Sequence, residues 1–140
     1  MKILLAVDGS SYTQRMLDHV ATHAEQFGSA PQYTIYTAVA PIPPHATHFL
    51  DRKTLDGHYR DAAEEVLRPI RAFAAQQGWK AEVEYGVGPA AEKIAAFAAA
   101  GGYDMIVMGT HGHSALGNLV LGSVASGVLA RCTAPVLLIR

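Results

Sequence analysis

Three glycines and a serine near the C-terminus have the types and spacing of an anion-binding loop. Gly109, Gly112 and the pair Gly122-Ser123 follow the pattern G-x2-G-x9-G-S. Glycine permits positive φ angles and a close approach of the backbone, so main-chain N–H groups can face an anion. Ser123 adds a hydroxyl at the predicted start of a helix, whose N-terminus carries about half a positive charge. The pattern predicts a site for phosphate groups.

The segment around these residues contains no ionised side chain. From Met105 to Ala130 there is no Asp, Glu, Lys or Arg, and the chain has no G-x-x-x-x-G-K-[ST] motif. Phosphates here would be neutralised by backbone amides, hydroxyls, the imidazoles of His111 and His113, or a divalent ion such as Mg²⁺ or Mn²⁺. Because phosphoryl transfer usually needs cations and a positioned base, we expect binding rather than catalysis and assign no catalytic residue.

Short apolar runs alternate with helical patterns along the whole chain. The patterns predict strands at 3–7, 33–39, 80–85, 105–108 and 136–139, and helices at 12–28, 53–77, 89–101 and 122–131. Ser11 and Gln14 resemble a capping box at the start of the first helix. Three prolines predict a loop over 41–48. The βαβαβαβαβ order indicates one α/β domain over residues 1–140, with a parallel sheet and helices on both faces.

The composition excludes several classes of protein. Half of the 140 residues are hydrophobic and 16% are charged, which excludes a disordered chain. Lys and Arg number 11 against 12 Asp and Glu, a balance that argues against nucleic-acid binding. A single cysteine excludes an internal disulfide. The first apolar run ends at Asp8 and no stretch reaches 18 apolar residues. We therefore expect a cytoplasmic protein without a signal peptide or membrane contact.

The glycine pattern also carries a family resemblance. Gly109, Gly112, Gly122 and Ser123 match the G-x2-G-x9-G-[ST] signature of ATP-binding universal stress proteins. Residues 3–10, 104–109 and 135–139 are similar to the first, fourth and last strands of that family, so the resemblance covers the whole chain. It implies a Rossmann-like fold with a five-stranded parallel sheet of order 3-2-1-4-5, a dimer, and ATP or another adenine nucleotide as ligand.

The resemblance also implies roles for individual residues. Those expected to hold the adenosine part are Asp8 and Val39, with Val7 and Ala40 lining it. Those expected at the ribose and phosphates are Met108, Gly109, Gly112, Gly122, Ser123 and Val124, and a basic residue at the position of His113 would touch phosphate. The function implied is an ATP-binding regulatory or stress-response protein. The alternatives are a slow metal-dependent ATPase and a sensor of AMP or a similar small ligand.

Several of these residues also have simpler explanations. The glycines suit ordinary turns, and Asp8 suits a helix cap. Gly86-x-Gly88-x-x-Ala91 formally matches a dinucleotide fingerprint, but Pro89 removes an amide donor, so a structural turn is favoured. His19 and His23 have the spacing of a metal chelate but lack an acidic third ligand, so solvent-facing imidazoles are favoured.

The last predicted strand has the features of a sheet edge. Val136, Leu137, Leu138 and Ile139 are consecutive and apolar, and no crossover follows them. An edge strand that is apolar on both sides invites pairing with another chain. We therefore predict a homodimer through residues 135–140, as the resemblance also implies.

Overall fold

The computed structural model describes residues 1–114 and 118–140. Within these ranges the strands are β1 (Lys2–Ala6), β2 (Gln32–Val39), β3 (Glu82–Val87), β4 (Met105–Gly109) and β5 (Val136–Ile139). The helices are α1 (Ser11–Thr22), α2 (Pro44–Thr47), α3 (Arg52–Gln76), α4 (Ala90–Gly101) and α5 (Ser123–Arg131), with a short 3-10 helix at Ala24–Phe27. All pairings are parallel and the strand order is β3-β2-β1-β4-β5, which confirms the predicted fold and sheet order.

The central strand β1 is buried on both faces because its side chains alternate between two cores. Leu5 packs with Leu17 of α1 in the first core, which α3 completes. Leu4 packs with Ile94 of α4 and Val128 of α5 in the second core. Hence β1 leads into a helix on one face of the sheet, whereas its neighbour β4 leads into a helix on the other. The winding reverses between β1 and β4, and a crevice opens beyond their carboxyl ends.

The first helix differs at both ends from its prediction. Ser10, not Ser11, is the N-cap, and its hydroxyl oxygen accepts a hydrogen bond from the Thr13 N–H at 3.4 Å. The predicted capping box does not form, because the Gln14 amide donates to Asp18 instead. The helix ends at Thr22, and the chain continues as the 3-10 helix with a tighter hydrogen-bond pattern.

Two other segments also differ from the sequence-based expectation. The predicted loop over 41–48 contains the single helical turn α2, with Pro44 in the first turn, where its missing N–H costs nothing. Strand β3 lies at 82–87 rather than 80–85 and forms one edge of the sheet. Strand β5 forms the other edge, as predicted. Within the two described ranges, no helix combines the length and apolarity needed to cross a bilayer.

The cap of α1 gives a direct test of its boundary. Replacing Ser10 with Ala should lower the free energy of unfolding by about 1 kcal/mol, since a first-turn amide loses its acceptor. Ser11→Ala is the matched control, because Ser11 is exposed and its change should stay within about 0.5 kcal/mol. Urea denaturation monitored by circular dichroism measures both. A larger loss in Ser11→Ala would place the cap one residue later.

Candidate functional site

A cavity of about 300 Å³ lies at the carboxyl ends of β1 and β4. Its lining contains nine of the residues that the sequence predicted for the site: Val7, Asp8, Met108, Gly109, Gly112, His113, Gly122, Ser123 and Val124. These residues come from three separate segments of the chain. The β1–β4 pairing, in which Ala6 lies opposite Met108, brings the three segments together.

Two predicted residues, Val39 and Ala40, are not brought into the cavity lining. Val39 packs against the core on the α1 and α3 face of the sheet, whereas its neighbour Ala38 lies on the α4 and α5 face and lines the cavity. Alternation along the strand explains the difference. Ala40 follows the end of β2 and is exposed. Ligand contacts of Val39 and Ala40 therefore stay predictions.

Four apolar residues of the cavity lining were not predicted from the sequence. Helix α4 contributes Ala90 and Ile94, α5 contributes Ala125, and β2 contributes Ala38. Ala90 and Ile94 are four residues apart, so they share one helix face. That spacing was visible in the sequence, but it also fits ordinary packing. Three of these four residues are alanines, so this part of the cavity is lined by small apolar side chains.

Asp8 organises the turn between β1 and α1 and also borders the cavity. Its Oδ1 accepts hydrogen bonds from the Ser10 N–H and from the Thr13 hydroxyl, both at 2.9 Å. Its own N–H donates to the Thr13 oxygen at 3.0 Å. The other carboxylate oxygen, Oδ2, faces Gly112, where a Cβ would stand 2.5 Å away. Asp8 is therefore not the cap of α1, and a side chain at position 112 would force its carboxylate to move.

The signature glycines allow three backbone segments to approach one another. A Cβ at Gly109 would lie 2.7 Å from Cβ of Tyr12, and one at Gly122 would lie 3.2 Å from both Cα of His111 and the Thr110 carbonyl oxygen. Real Cβ atoms almost never make the first of these contacts. The Gly122 N–H donates to the Thr110 carbonyl at 2.7 Å, which closes the loop at the start of α5. The spacing in the signature thus reflects close packing as well as room for a ligand.

The N-terminus of α5 faces the cavity without a side-chain cap. Gly122 is the N-cap residue and has no side chain, so within residues 1–114 and 118–140 no side-chain cap bonds to the first turn. Ser123, Val124 and Ala125 all line the cavity. The first N–H groups of a helix have no partner within the helix, and they carry the positive end of its dipole. This end of the cavity therefore presents hydrogen-bond donors and a partial positive charge.

The cavity has little ionised character. Among its described lining residues, Asp8 is the one acidic residue, and none is Lys or Arg. The two imidazoles are already engaged. Nε2 of His113 lies 2.7 Å from the Asp8 carbonyl oxygen, and both ring nitrogens of His111 have partners within 2.8 Å. In residues 1–114 and 118–140, no three His, Cys, Asp or Glu side chains are grouped to hold a metal ion.

The competing motifs have structural explanations. Side chains at Gly86 and Gly88 would collide with the Tyr36 hydroxyl and with the stem of Lys93, respectively. The turn is therefore packed, which agrees with the structural interpretation. The rings of His19 and His23 stack with centroids 4.3 Å apart. Burial raises the pKa of the Cys132 thiol, which disfavours its nucleophilic thiolate form.

Comparison with known proteins identifies one family. The sequence model of the universal stress protein family matches residues 1–140. The universal stress protein MJ0531 of Methanocaldococcus jannaschii is 32% identical over 99% of this chain and 81% of its own. The universal stress protein YxiE of Bacillus subtilis is 29% identical over 99% of this chain and 98% of its own.

Solved structures show the same fold. Hypothetical protein MJ0577 of M. jannaschii has a TM-score of 0.78 at 25% identity, over 99% of this chain and 94% of its own. A universal stress protein in complex with cAMP has a TM-score of 0.67 at 24% identity, over 100% and 96%. The universal stress protein of Archaeoglobus fulgidus in complex with dAMP has a TM-score of 0.67 at 23% identity, over 100% and 98%.

Proposed function

The chain belongs to the universal stress protein family, and we propose from this premise that it binds an adenine nucleotide in the cavity between β1 and β4. In this proposal the protein is regulatory and acts in a stress response in the cytoplasm. The observation that carries the proposal is the N-terminus of α5, which opens into the cavity without a side-chain cap. A helix N-terminus in this position favours a phosphate group.

The two halves of the cavity suit the two halves of a nucleotide. The apolar half formed by Ala38, Ala90 and Ile94 offers a surface to a base or ribose. The opposite half offers the first-turn amides of α5 and the Ser123 hydroxyl to phosphates. Two relatives of the same fold were solved with cAMP and with dAMP, which supports an adenine nucleotide as the ligand class.

We propose ATP as the nucleotide, accompanied by Mg²⁺ or Mn²⁺. The described lining carries no Lys or Arg, so a divalent ion held by the phosphates would offset their charge. The principal alternative is an AMP-type ligand, because the complexes with cAMP and dAMP contain nucleotides with a single phosphate. Such a ligand brings less negative charge than ATP to a cavity that Asp8 lines.

Calorimetric titration tests the site. The native protein should bind ATP in the presence of Mg²⁺, and the double variant Gly122→Val, Ser123→Ala should bind it at least about tenfold more weakly. The valine side chain would clash with the backbone at Thr110 and His111 and displace the helix terminus, while the alanine removes a hydroxyl donor. Thermal unfolding of the variant confirms that it remains folded.

Gly57→Ala is the matched control, because Gly57 lies in α3 and its added Cβ would meet the flexible end of Arg60. Its affinity should equal that of the native protein. Native affinity in the double variant would contradict the site. Parallel titrations with AMP and adenosine decide between ATP and the AMP-type alternative. Retention of radiolabelled ATP without phosphate release supports a binding protein, whereas steady release would indicate a slow ATPase.

We also propose a homodimer formed through residues 135–140. The Pro135 carbonyl accepts a hydrogen bond from the Ile106 N–H of β4, and the Ile139 carbonyl accepts one from the Thr110 N–H just after β4, each at 2.9 Å. Because alternate residues of a strand bond to opposite sides, Val136 and Leu138 direct their backbone groups away from β4. The side chains of β5 are half-buried on both faces. An edge strand of this kind suits pairing with its copy in a second chain.

Sedimentation velocity tests the dimer. The sedimentation coefficient of the native protein should correspond to a dimer of the 14.9 kDa chain, and that of Leu138→Lys to a monomer. Circular dichroism checks that this variant folds, since Leu138 also packs against the core beneath it. Leu50→Lys is the control, because Leu50 is exposed and distant in sequence from β5. A folded Leu138→Lys dimer would move the interface elsewhere.

A further inference from the structure

His111 connects two parts of the cavity wall through its ring. Nδ1 lies 2.8 Å from the Thr110 hydroxyl oxygen, and Nε2 lies 2.8 Å from the Leu119 carbonyl oxygen. A carbonyl oxygen can only accept, so Nε2 must carry a proton. In the neutral ring Nδ1 is then an acceptor, and the Thr110 hydroxyl donates a hydrogen bond to it. For the neutral ring, the hydrogen-bond network thus admits only the tautomer with the proton on Nε2.

The surroundings of His111 hold the ring in place. The Tyr12 ring packs against the imidazole with centroids 5.0 Å apart, and Arg15 lies 4.9 Å from the centroid of Tyr12. Thr110 is buried, and its N–H donates to the Ile139 carbonyl at 2.9 Å. The ring is therefore attached, through Thr110, to the end of the sheet.

Leu119 and Gly122 are both anchored to the Thr110-His111 pair. The Gly122 N–H donates to the Thr110 carbonyl, and the Leu119 carbonyl accepts from His111. Leu119, Gly122 and His111 all line the cavity. A free carbonyl oxygen beside a phosphate would repel it. The His111 N–H engages the oxygen of Leu119 and fixes the backbone that leads into α5.

We propose that His111 is a positioning residue for the phosphate end of the site. It acts through the Leu119 carbonyl and the start of α5 rather than by touching the ligand. This inference rests on the proposed function and deepens it. It predicts that the side chain governs affinity for phosphate groups and leaves affinity for the nucleoside unchanged.

Two substitutions separate this role from simple packing. His111→Leu keeps an apolar side chain but removes both hydrogen bonds, and it should weaken ATP binding by about tenfold. Adenosine affinity should change by less than about twofold. His111→Gln places an amide N–H near the position of Nε2 and should recover most of the ATP affinity. Thr110→Val removes the hydroxyl alone and should weaken ATP binding to an intermediate extent.

Calorimetric titration of each variant with ATP and with adenosine gives these comparisons. His45→Leu is the control, because His45 is exposed and does not line the cavity. Native ATP affinity in His111→Leu, or an equal loss for ATP and adenosine, would overturn the proposal. If His111→Leu fails to fold, Thr110→Val is compared with the native protein instead. Native ATP affinity in that variant, or an equal loss for ATP and adenosine, would then overturn the proposal.

Nitrogen NMR of the ligand-free protein tests the geometry independently of nucleotide binding. The His111 ring should show a protonated Nε2 and an unprotonated Nδ1, and the Gly122 amide should exchange more slowly in the native protein than in His111→Leu. The opposite tautomer, or equal exchange, would overturn the inference. Failure of the native protein to bind any nucleotide would instead refute the proposed function, because these spectra need no ligand.

Discussion

The parallel pairing of β1 with β4 is the constraint on which the site depends. It places Ala6 opposite Met108, so the residues that follow each strand emerge side by side. The chain then leaves β1 toward one face of the sheet and β4 toward the other. Asp8 and Gly112 consequently face each other across a narrow gap, and a side chain at position 112 would close it. The crevice is thus a consequence of the sheet topology and does not depend on a ligand.

The positive charge in the crevice comes from backbone groups, because its described lining contains no Lys or Arg. The Asp8 carboxylate is held by the Ser10 N–H and the Thr13 hydroxyl, and the imidazoles of His111 and His113 bond to main-chain oxygens. The start of α5 remains as the electropositive element. A site of this kind binds anions through oriented amides, which are fixed in place by folding and need no reorganisation on binding.

Much of the fold was predictable from the sequence. Apolar runs indicate buried strands, and glycines indicate the places where the chain turns. The order of the strands came from the resemblance to a family, since alternation alone does not fix it. The cap at Ser10 was missed because Ser10 and Ser11 are adjacent and equally suited by type. Ala38 was not predicted as a lining residue. Either Ala38 or Val39 faces the cavity because side chains alternate along a strand, and the choice between them depends on the register of β2 with β1. The contacts of the His111 ring with Thr110 and Leu119 were not predicted, because the spacing of these residues matches neither a helical nor a strand period.

A crystal structure of the protein grown with ATP and Mg²⁺ tests the central claim most directly. Phosphate oxygens should lie within hydrogen-bond distance of the amides at the start of α5 and of the Ser123 hydroxyl, and the adenosine should pack against Ala38 and Ile94. A nucleotide bound elsewhere would contradict it, as would phosphates held by lysine or arginine side chains instead of by main-chain nitrogens.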